Sequence, residues 1–234
     1  MDATGFGSRR AILKASVAVL AVTAAGGVLA ACSESKPAEP VAATPDPNPV
    51  VATKYGPVKG QLEDGIATFK GVRYGADTST TRFQPPKPPT PWTEPADAGE
   101  FGSACPQPPL PGIPLDLGAR QDEDCLTLNI WAPSGAEAKP VMVWLHGGAY
   151  VLGSGSQPFY DGNRLADSGD VVIVTVNYRL GAFGFLDLSV FNRPASTFDS
   201  NIGLRDVLAA LHWVQDNIAA FGGDPDRVTL FGES

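Results

Sequence analysis

Two nearly unbroken runs of apolar residues most constrain the fold of this chain. They are Val-Met-Val-Trp-Leu at 141–145 and Val-Val-Ile-Val-Thr-Val at 171–176. A strand that faces water on one side alternates apolar and polar residues, whereas a strand buried on both faces is apolar throughout. Strands of the second kind belong to parallel sheets that are covered by helices. The two runs therefore predict a parallel, helix-covered sheet.

The segment that follows these runs predicts a helix and then another strand. Over 203–220, Leu204, Leu208, Leu211 and Ile218 recur at spacings of three, four and seven residues, which is typical of one face of a helix. Gly-Gly-Asp-Pro at 222–225 ends the helix, and 228–231 begins another buried strand. The order strand, helix, strand indicates an α/β fold.

The beginning of the folded part has a different pattern. Within 51–72, short β-like stretches alternate with glycines, and 126–131 is a further strand candidate with alternating apolar residues. Short strands separated by turn residues predict small antiparallel pairs. We therefore expect a small antiparallel start followed by a mostly parallel central sheet with helices.

The first 31 residues are expected to be an export signal. Arg9 and Arg10 precede an Ala-rich apolar run that ends at Ala31, and the pattern resembles a twin-arginine signal peptide. The last residues of the run, with Cys32, resemble a bacterial lipobox, so Cys32 is expected to carry lipid after cleavage. A membrane-spanning helix is the alternative, but about 17 apolar residues are short for a bilayer. Ordinary cleavage after Ala30 or Ala31 would instead release a secreted protein.

Residues 32–50 are rich in Pro and Ala and predict an extended tether, so the folded domain is expected over 51–234. The formal net charge is −8. Without the signal, which carries Arg9, Arg10 and Lys14 against Asp2, the remainder is more acidic still. Because phosphate binding requires clustered Lys and Arg, the charge argues against nucleic acid as a partner.

Two glycine-containing segments point to nucleophilic catalysis. Phe-Gly-Glu-Ser at 231–234 places Ser234 directly after a predicted strand, which is how a nucleophile elbow (G-x-S-x-G) begins. His-Gly-Gly-Ala at 146–149 follows another buried strand, where backbone N–H groups of Gly147 and Gly148 could hold an oxyanion. Each segment alone could be an ordinary turn. Together they favour acyl transfer.

With these motifs, the chain resembles the carboxylesterase type B family, the cholinesterase-like branch of the α/β-hydrolases. The matching segments follow one another over about 50–234. They are 82–92, Ala-Cys-Pro-Gln at 104–107, Glu-Asp-Cys-Leu-Thr-Leu-Asn at 123–129, Trp-Leu-His-Gly-Gly-Ala at 144–149, Asn-Tyr-Arg-Leu-Gly at 177–181, and 213–234. The resemblance implies the amino-terminal half of an α/β-hydrolase fold, a small carboxylic ester as substrate, and no metal or organic cofactor.

The resemblance also implies roles for individual residues. Ser234 would be the nucleophile, and Gly147 and Gly148 would supply two oxyanion N–H groups. Cys105 and Cys125 would form a disulfide, which stabilises by about 3 kcal/mol for a loop of about 20 residues. That pairing leaves Cys32 for the lipid. Two buried ion pairs with structural roles are also implied, namely Arg82 with Glu123 and Arg179 with Asp206.

Other polar residues are expected to have structural or minor roles. His146 lies in the oxyanion segment, where the family usually has Gly or His, and we interpret it as structural. His212 is expected on the helix surface. The acidic residues at 122–124 could suggest a metal site, but no histidine lies near them in sequence. Glu233 borders the nucleophile and is expected to tune its electrostatics without being the triad acid.

In α/β-hydrolases the triad acid and histidine follow the serine in sequence. Nothing follows Ser234 in this sequence, and the break inside a motif predicts an incomplete record of a longer protein, inactive as it stands. We also expect its last strand and nearby apolar surface to be exposed. The alternatives are a non-catalytic binding or adhesion protein and a dead fragment. Retention of Gly-Glu-Ser and of Gly147-Gly148 argues against a pure binding protein.

Overall fold

The structure is a computed structural model that describes residues 46–109, 112, 114–194 and 197–234. Within these ranges the chain forms nine β-strands, three α-helices and three short 3₁₀ segments. The strands are β1 (Val50–Ala52), β2 (Pro57–Lys59), β3 (Gln61–Glu63), β4 (Ile66–Arg73), β5 (Ala96–Asp97), β6 (Thr127–Pro133), β7 (Lys139–Leu145), β8 (Val172–Val176) and β9 (Gly223–Gly232). The helices are α1 (Asn163–Gly169), α2 (Gly181–Phe185) and α3 (Ile202–Asn217), and the 3₁₀ segments are Pro158–Tyr160, Ser189–Phe191 and Ile218–Phe221.

The strands form a small sheet, ordered β1-β2-β5, and a six-stranded sheet, ordered β3-β4-β6-β8-β7-β9. In the larger sheet β3, β4, β6 and β8 pair antiparallel, and β8-β7 and β7-β9 pair parallel. The expected α/β class is confirmed, and the antiparallel part extends further into the sheet than expected. Its first hairpin turns at Asp64 and Gly65, which both have positive φ, as a tight two-residue turn requires.

The predicted buried strands lie at the centre of this sheet. All five residues of β8 are buried, and Val141 and Val143 of β7 have no exposed surface. One face of the sheet packs against α3 through Val207, Ala210, Trp213 and Val214. The other face packs against α1, where Ala166 contacts a cluster with Trp131 and Ile173. The chain thus covers both faces, as the apolar runs predict.

Helix α3 is present, but its buried face differs from the prediction. Leu204 and Leu208 are 47% and 55% exposed. The buried face instead carries Ile202, Gly203, Asp206, Val207, Ala210, Trp213, Val214 and Asn217. Two of these residues are polar, so a count of apolar residues alone misplaces the face. Gly222, in the left-handed conformation, ends the following 3₁₀ turn.

Strand β9 has the apolar composition of a buried strand, but it lies at the edge of the sheet, as expected for the last strand of this sequence. It pairs with β7 alone among the described strands, and Leu230 is 49% exposed. With no strand on its outer side in the described chain, its side chains lack the cover that a central strand receives. The exposure of Leu204, Leu208 and Leu230 agrees with the expected apolar surface beside the last strand.

The ion pair between Arg179 and Asp206 is completely buried. Nε of Arg179 donates to Oδ2 of Asp206 (2.8 Å), Nη2 donates to Oδ1 (2.6 Å), and the backbone N–H of Arg179 donates to Oδ2 (3.0 Å). The remaining guanidinium nitrogen, Nη1, donates to the carbonyl of Gln84 (3.1 Å). The pair therefore ties the segment after β8 to the buried face of α3.

The second implied pair, Arg82 with Glu123, is present but is not buried. Nε of Arg82 donates to Oε2 of Glu123 (2.6 Å) and Nη2 to Oε1, yet the Arg82 side chain is 53% exposed. The expectation of burial was wrong for this pair, because the Arg82 segment runs along the surface as a loop. Cys105 and Cys125 form the implied disulfide, with S–S 2.11 Å.

We predict a strong destabilisation by Asp206→Asn, of about 3–5 kcal/mol, because the change leaves a buried guanidinium without its counter-charge. Urea unfolding measures the loss. Asp216→Asn on the same helix is the matched control, since Asp216 pairs with Lys54 at the surface and exposed pairs contribute little. Equal losses of unfolding free energy for Asp206→Asn and Asp216→Asn would contradict the structural role of the buried pair.

Candidate active site

Ser234 follows the carboxyl end of β9 and has a left-handed backbone, with φ of 48°. A non-glycine residue rarely adopts this conformation, and its strain is characteristic of functional positions. A nucleophile elbow holds its serine in such a tight turn so that the hydroxyl stands clear of the sheet. Ser234 is indeed exposed.

The sheet brings the glycine segment to the serine. β7 and β9 are parallel neighbours, and Leu145 at the end of β7 lies opposite Gly232 at the end of β9. Carboxyl ends of parallel strands meet at one edge of the sheet, which is where such folds place their sites. The segment 146–153, which we call the oxyanion loop, therefore begins beside Gly-Glu-Ser.

Gly147 is the point of closest approach between the two segments. A Cβ on Gly147 would lie 1.9 Å from Oε2 of Glu233 and 2.8 Å from its carbonyl oxygen. Only glycine fits in this space without displacing the elbow. The Glu233 side chain thus packs directly against the backbone that the sequence assigns to the oxyanion hole.

The oxyanion loop is a strained and compact turn. Gly148, Ala149 and Tyr150 have φ of 113°, 55° and 62°. The Gly148 carbonyl accepts hydrogen bonds from the N–H groups of Val151 (3.0 Å) and Leu152 (3.1 Å), while no described residue accepts one from the Gly148 N–H. A backbone N–H held free in this way is available to an oxyanion.

The buried His146 ring packs against the oxyanion loop, and its contacts do not leave it free to act as a base. Its side chain is buried, its Nδ1–H donates to the Gly147 carbonyl (2.9 Å), and its ring stacks on Tyr178 with centroids 4.5 Å apart. Burial lowers the pKa of His146 to about 4, so the ring is neutral at pH 7. The Tyr178 hydroxyl donates to the His146 carbonyl (2.6 Å), which fixes the peptide that carries the Gly147 N–H.

A cavity of about 280 Å³ opens at the serine. Its lining residues are Leu145, His146, Tyr150, Tyr178, Leu204, Val207, Gly232, Glu233 and Ser234. Burial, with smaller contributions from Tyr150, Tyr160 and Glu233, raises the pKa of Tyr178 to about 12. Burial and the Glu233 charge also raise the pKa of Tyr160. The hydroxyls of Tyr160 and Tyr178 are therefore neutral hydrogen-bonding groups at pH 7. In the elbow, Glu233 is the ionisable residue that approaches the oxyanion loop.

The other predicted residues lie away from this cavity. The acidic residues at 122–124 each face an arginine, with Asp122 near Arg120 (3.8 Å), Glu123 on Arg82 and Asp124 on Arg73. His212 is exposed on α3. No cluster of His, Cys, Asp and Glu in the described ranges could hold a metal. Cys32 and the predicted signal and tether up to residue 45 lie outside the described residues.

Sequence reasoning missed two residues that shape the site. Tyr178 lies in the segment 177–181 that carried the family resemblance, but nothing in the pattern assigned it to His146. Gln107 lies in Ala-Cys-Pro-Gln and forms two hydrogen bonds with Gly153 at the end of the oxyanion loop. A motif shared with a family could have marked both positions, whereas their partners become known only through the fold.

The carboxylesterase family model matches residues 47–234. Among curated proteins, the chain is 51% identical over 188 residues to a para-nitrobenzyl esterase of Bacillus subtilis (strain 168), covering 79% of this chain and 38% of that protein. It is 43% identical over 192 residues to a phenmedipham hydrolase of Pseudarthrobacter oxydans, covering 80% and 37%. The chain therefore spans well under half the length of these relatives.

Solved structures of esterases also align with this chain over part of their length. A thermophilic PNB esterase aligns with a TM-score of 0.74 at 49% identity, covering 79% of this chain and 38% of the other. A carboxylesterase of Geobacillus stearothermophilus aligns with a TM-score of 0.72 at 45% identity, covering 79% and 37%. The described fold is thus the amino-terminal part of the fold of these enzymes.

No helix in the described ranges has both the length and the apolar character needed to cross a membrane.

We predict that His146 makes stability fall at acid pH. The pKa of its ring is about 4 in the folded state, against 6.5 for an exposed histidine. The unfolded chain therefore binds a proton more readily, and stability present above pH 6.5 is lost as pH falls toward 4. At pH 5 the loss from this residue is about 2 kcal/mol.

Urea midpoints of the full-length protein at about pH 7.5 and pH 5 measure this loss. His146→Gln, which carries no titratable ring, should show a smaller fall than the wild type. The exposed His212→Gln serves as control and should fall as the wild type does. A His146 variant with the wild-type pH dependence would show that the buried ring does not determine it.

Proposed function

The chain belongs to the carboxylesterase family, and we propose that the whole protein hydrolyses carboxylic esters through an acyl-enzyme on Ser234. One observation carries the proposal. Ser234, in its left-handed turn, and the oxyanion loop, with the free Gly148 N–H, meet at one sheet edge and share a cavity. This is the arrangement that acyl transfer at a serine requires.

The proposed reaction has two halves. Oγ of Ser234 attacks the ester carbonyl carbon, and the negative charge that develops on the carbonyl oxygen is held by the N–H groups of Gly147 and Gly148. The intermediate collapses, the alcohol leaves with a proton, and water then cleaves the acyl-serine ester to release the acid. Serine needs a base for its proton, and in this fold the triad acid and histidine follow the serine in sequence.

Since the chain spans 38% of the length of the Bacillus relative, those two residues are proposed to come from the rest of the whole protein. His146 is a poor candidate for the base, because its Nδ1–H is engaged with the Gly147 carbonyl and its ring is stacked on Tyr178. Glu233 precedes the nucleophile and contacts Gly147, so we propose that its charge influences the electrostatic potential at the oxyanion site.

Short-chain or aryl esters are the proposed substrates. The cavity walls contributed by this chain combine the aromatic rings of Tyr150 and Tyr178 with the aliphatic Leu204 and Val207. Such walls favour small, largely apolar acyl or aryl groups. One relative, the para-nitrobenzyl esterase, is named for esters with an aromatic nitrobenzyl group.

We further propose that the protein is exported and anchored by lipid at Cys32. The anchor is supported by the sequence, namely by Arg9-Arg10, the apolar run to Ala31, and the cysteine that directly follows. The Pro-rich segment that follows Cys32 would act as a spacer up to about residue 46, since the carbonyls of Pro47 and Pro49 accept hydrogen bonds from Leu62 and Gly60 of the folded domain. The disulfide is consistent with an oxidising compartment.

We predict that the full-length protein hydrolyses 4-nitrophenyl acetate and that Ser234→Ala abolishes the activity, with a loss of at least about 10⁴-fold. A fluorophosphonate probe should label the wild type at Ser234, as seen by peptide mass spectrometry, and should not label Ser234→Ala. Ser168→Ala, an exposed serine on α1, is the control and should behave as the wild type. A full-length protein that neither reacts with the probe nor cleaves esters would support the binding-protein alternative.

We predict that the wild-type protein, expressed in a bacterium with the lipoprotein pathway, sediments with membranes and carries diacylglycerol on Cys32. Cys32→Ala should abolish both the lipid mass and the membrane association. The double substitution Arg9→Lys and Arg10→Lys should stop export. A wild-type protein that is exported without lipid would instead establish ordinary cleavage after Ala30 or Ala31 and a freely secreted product.

A further inference from the structure

Gln107 forms a paired contact with the backbone of Gly153. Nε2 of Gln107 donates to the Gly153 carbonyl (2.8 Å), and the Gly153 N–H donates to Oε1 (2.8 Å). Two hydrogen bonds from one side-chain amide, one to each peptide group that flanks Gly153, fix the position and the orientation of that residue. Gln107 lies 46 residues from Gly153 in sequence, so this contact joins two separate loops.

Gly153 in turn lies against the base of the oxyanion loop. It is buried and has φ of 109°, and a Cβ there would lie 2.4 Å from Nδ1 of His146 and 2.5 Å from the Gly147 carbonyl oxygen. The same two atoms form the hydrogen bond between His146 and Gly147. A shift of Gly153 would therefore be transmitted to the peptide between Gly147 and Gly148, which carries the free Gly148 N–H.

The segment that carries Gln107 is itself firmly held. Gln107 follows Cys105 by two residues, and Cys105 is bonded to Cys125. The Gln107 N–H donates to Oε1 of Gln121 (2.8 Å), and Nε2 also donates to the Cys105 carbonyl (3.0 Å). Beyond Gly153, the N–H of Gly155 donates to Oδ1 of Asn177 (2.8 Å). Gln107 thus fixes Gly153, and Asn177 fixes the backbone two residues further on, at Gly155.

We propose that Gln107 is a positioning residue for ester hydrolysis, which clamps Gly153 and thereby holds the oxyanion loop in its strained conformation. The inference rests on the proposed function of Ser234 and goes beyond it. The loop needs such a clamp, because Gly148, Ala149 and Tyr150 all have positive φ and a strained backbone relaxes unless its surroundings hold it. Gln107 acts through Gly153 and does not itself line the cavity at Ser234.

The test compares Gln107→Met with Gln121→Met in the full-length protein. Methionine keeps the volume of glutamine and removes its hydrogen bonds, and the exposed Gln121 contacts the same segment without reaching Gly153. For Gln107→Met we expect kcat on 4-nitrophenyl acetate to fall about tenfold with KM within about twofold. Affinity for a phenyl trifluoromethyl ketone, which mimics the oxyanion, should fall by about the same factor. Gln121→Met should match the wild type in all three.

Amide hydrogen exchange over 146–153 gives a readout that does not depend on activity. Gln107→Met should exchange faster there than the wild type and Gln121→Met, even if the ester chosen proves a poor substrate. If Gln107→Met folds poorly, Gln107→Glu is the second variant, because it keeps the acceptor for the Gly153 N–H but sets a carboxylate oxygen against the carbonyl oxygens of Gly153 and Cys105, and the same defects in kcat and exchange are expected. Unchanged exchange over 146–153, or a lowered melting temperature with wild-type kcat and ketone affinity, would overturn the proposal. A wild type without esterase activity would overturn the proposed function and leave the exchange test standing.

Discussion

The site depends on the parallel register between β7 and β9. Because Leu145 lies opposite Gly232, the chain leaves both strands at the same edge, and the oxyanion loop and the elbow begin side by side. A change of register would separate them, since each residue along a strand advances by about 3.3 Å. The buried core beneath β7 and β8 maintains this register, and the Arg179–Asp206 pair fixes α3 over the same face.

Much of this arrangement could be predicted from the sequence, because its causes are local. Continuous apolar runs identify β7 and β8, and the spacing of apolar residues identifies α3. A glycine-rich turn after a strand marks the loop and the elbow. The family resemblance supplied the pairings of Cys105 with Cys125 and of Arg179 with Asp206, which a single sequence does not reveal through periodicity.

The rest could not be predicted, because it depends on polar contacts between distant residues. The buried face of α3 includes Asp206 and Asn217, which are stable there only because Arg179 and the backbone of Lys54 satisfy them. The same reasoning applies to Gln107 and Tyr178, whose partners lie in other loops. The composition of β9 is that of a buried strand, whereas its exposure follows from its position at the edge of the described sheet, which composition does not report.

The Cys105–Cys125 disulfide has a consequence for the contacts of the oxyanion loop. Cys105 and Cys125 pair only where thiols are oxidised, and the bonded segment carries the residue that contacts Gly153. In a reducing compartment that segment would keep its hydrogen bonds but lose the covalent closure of its loop. The loop that this disulfide closes contains Gln107, so the crosslink restricts the residue proposed to clamp Gly153 as well as stabilising the fold.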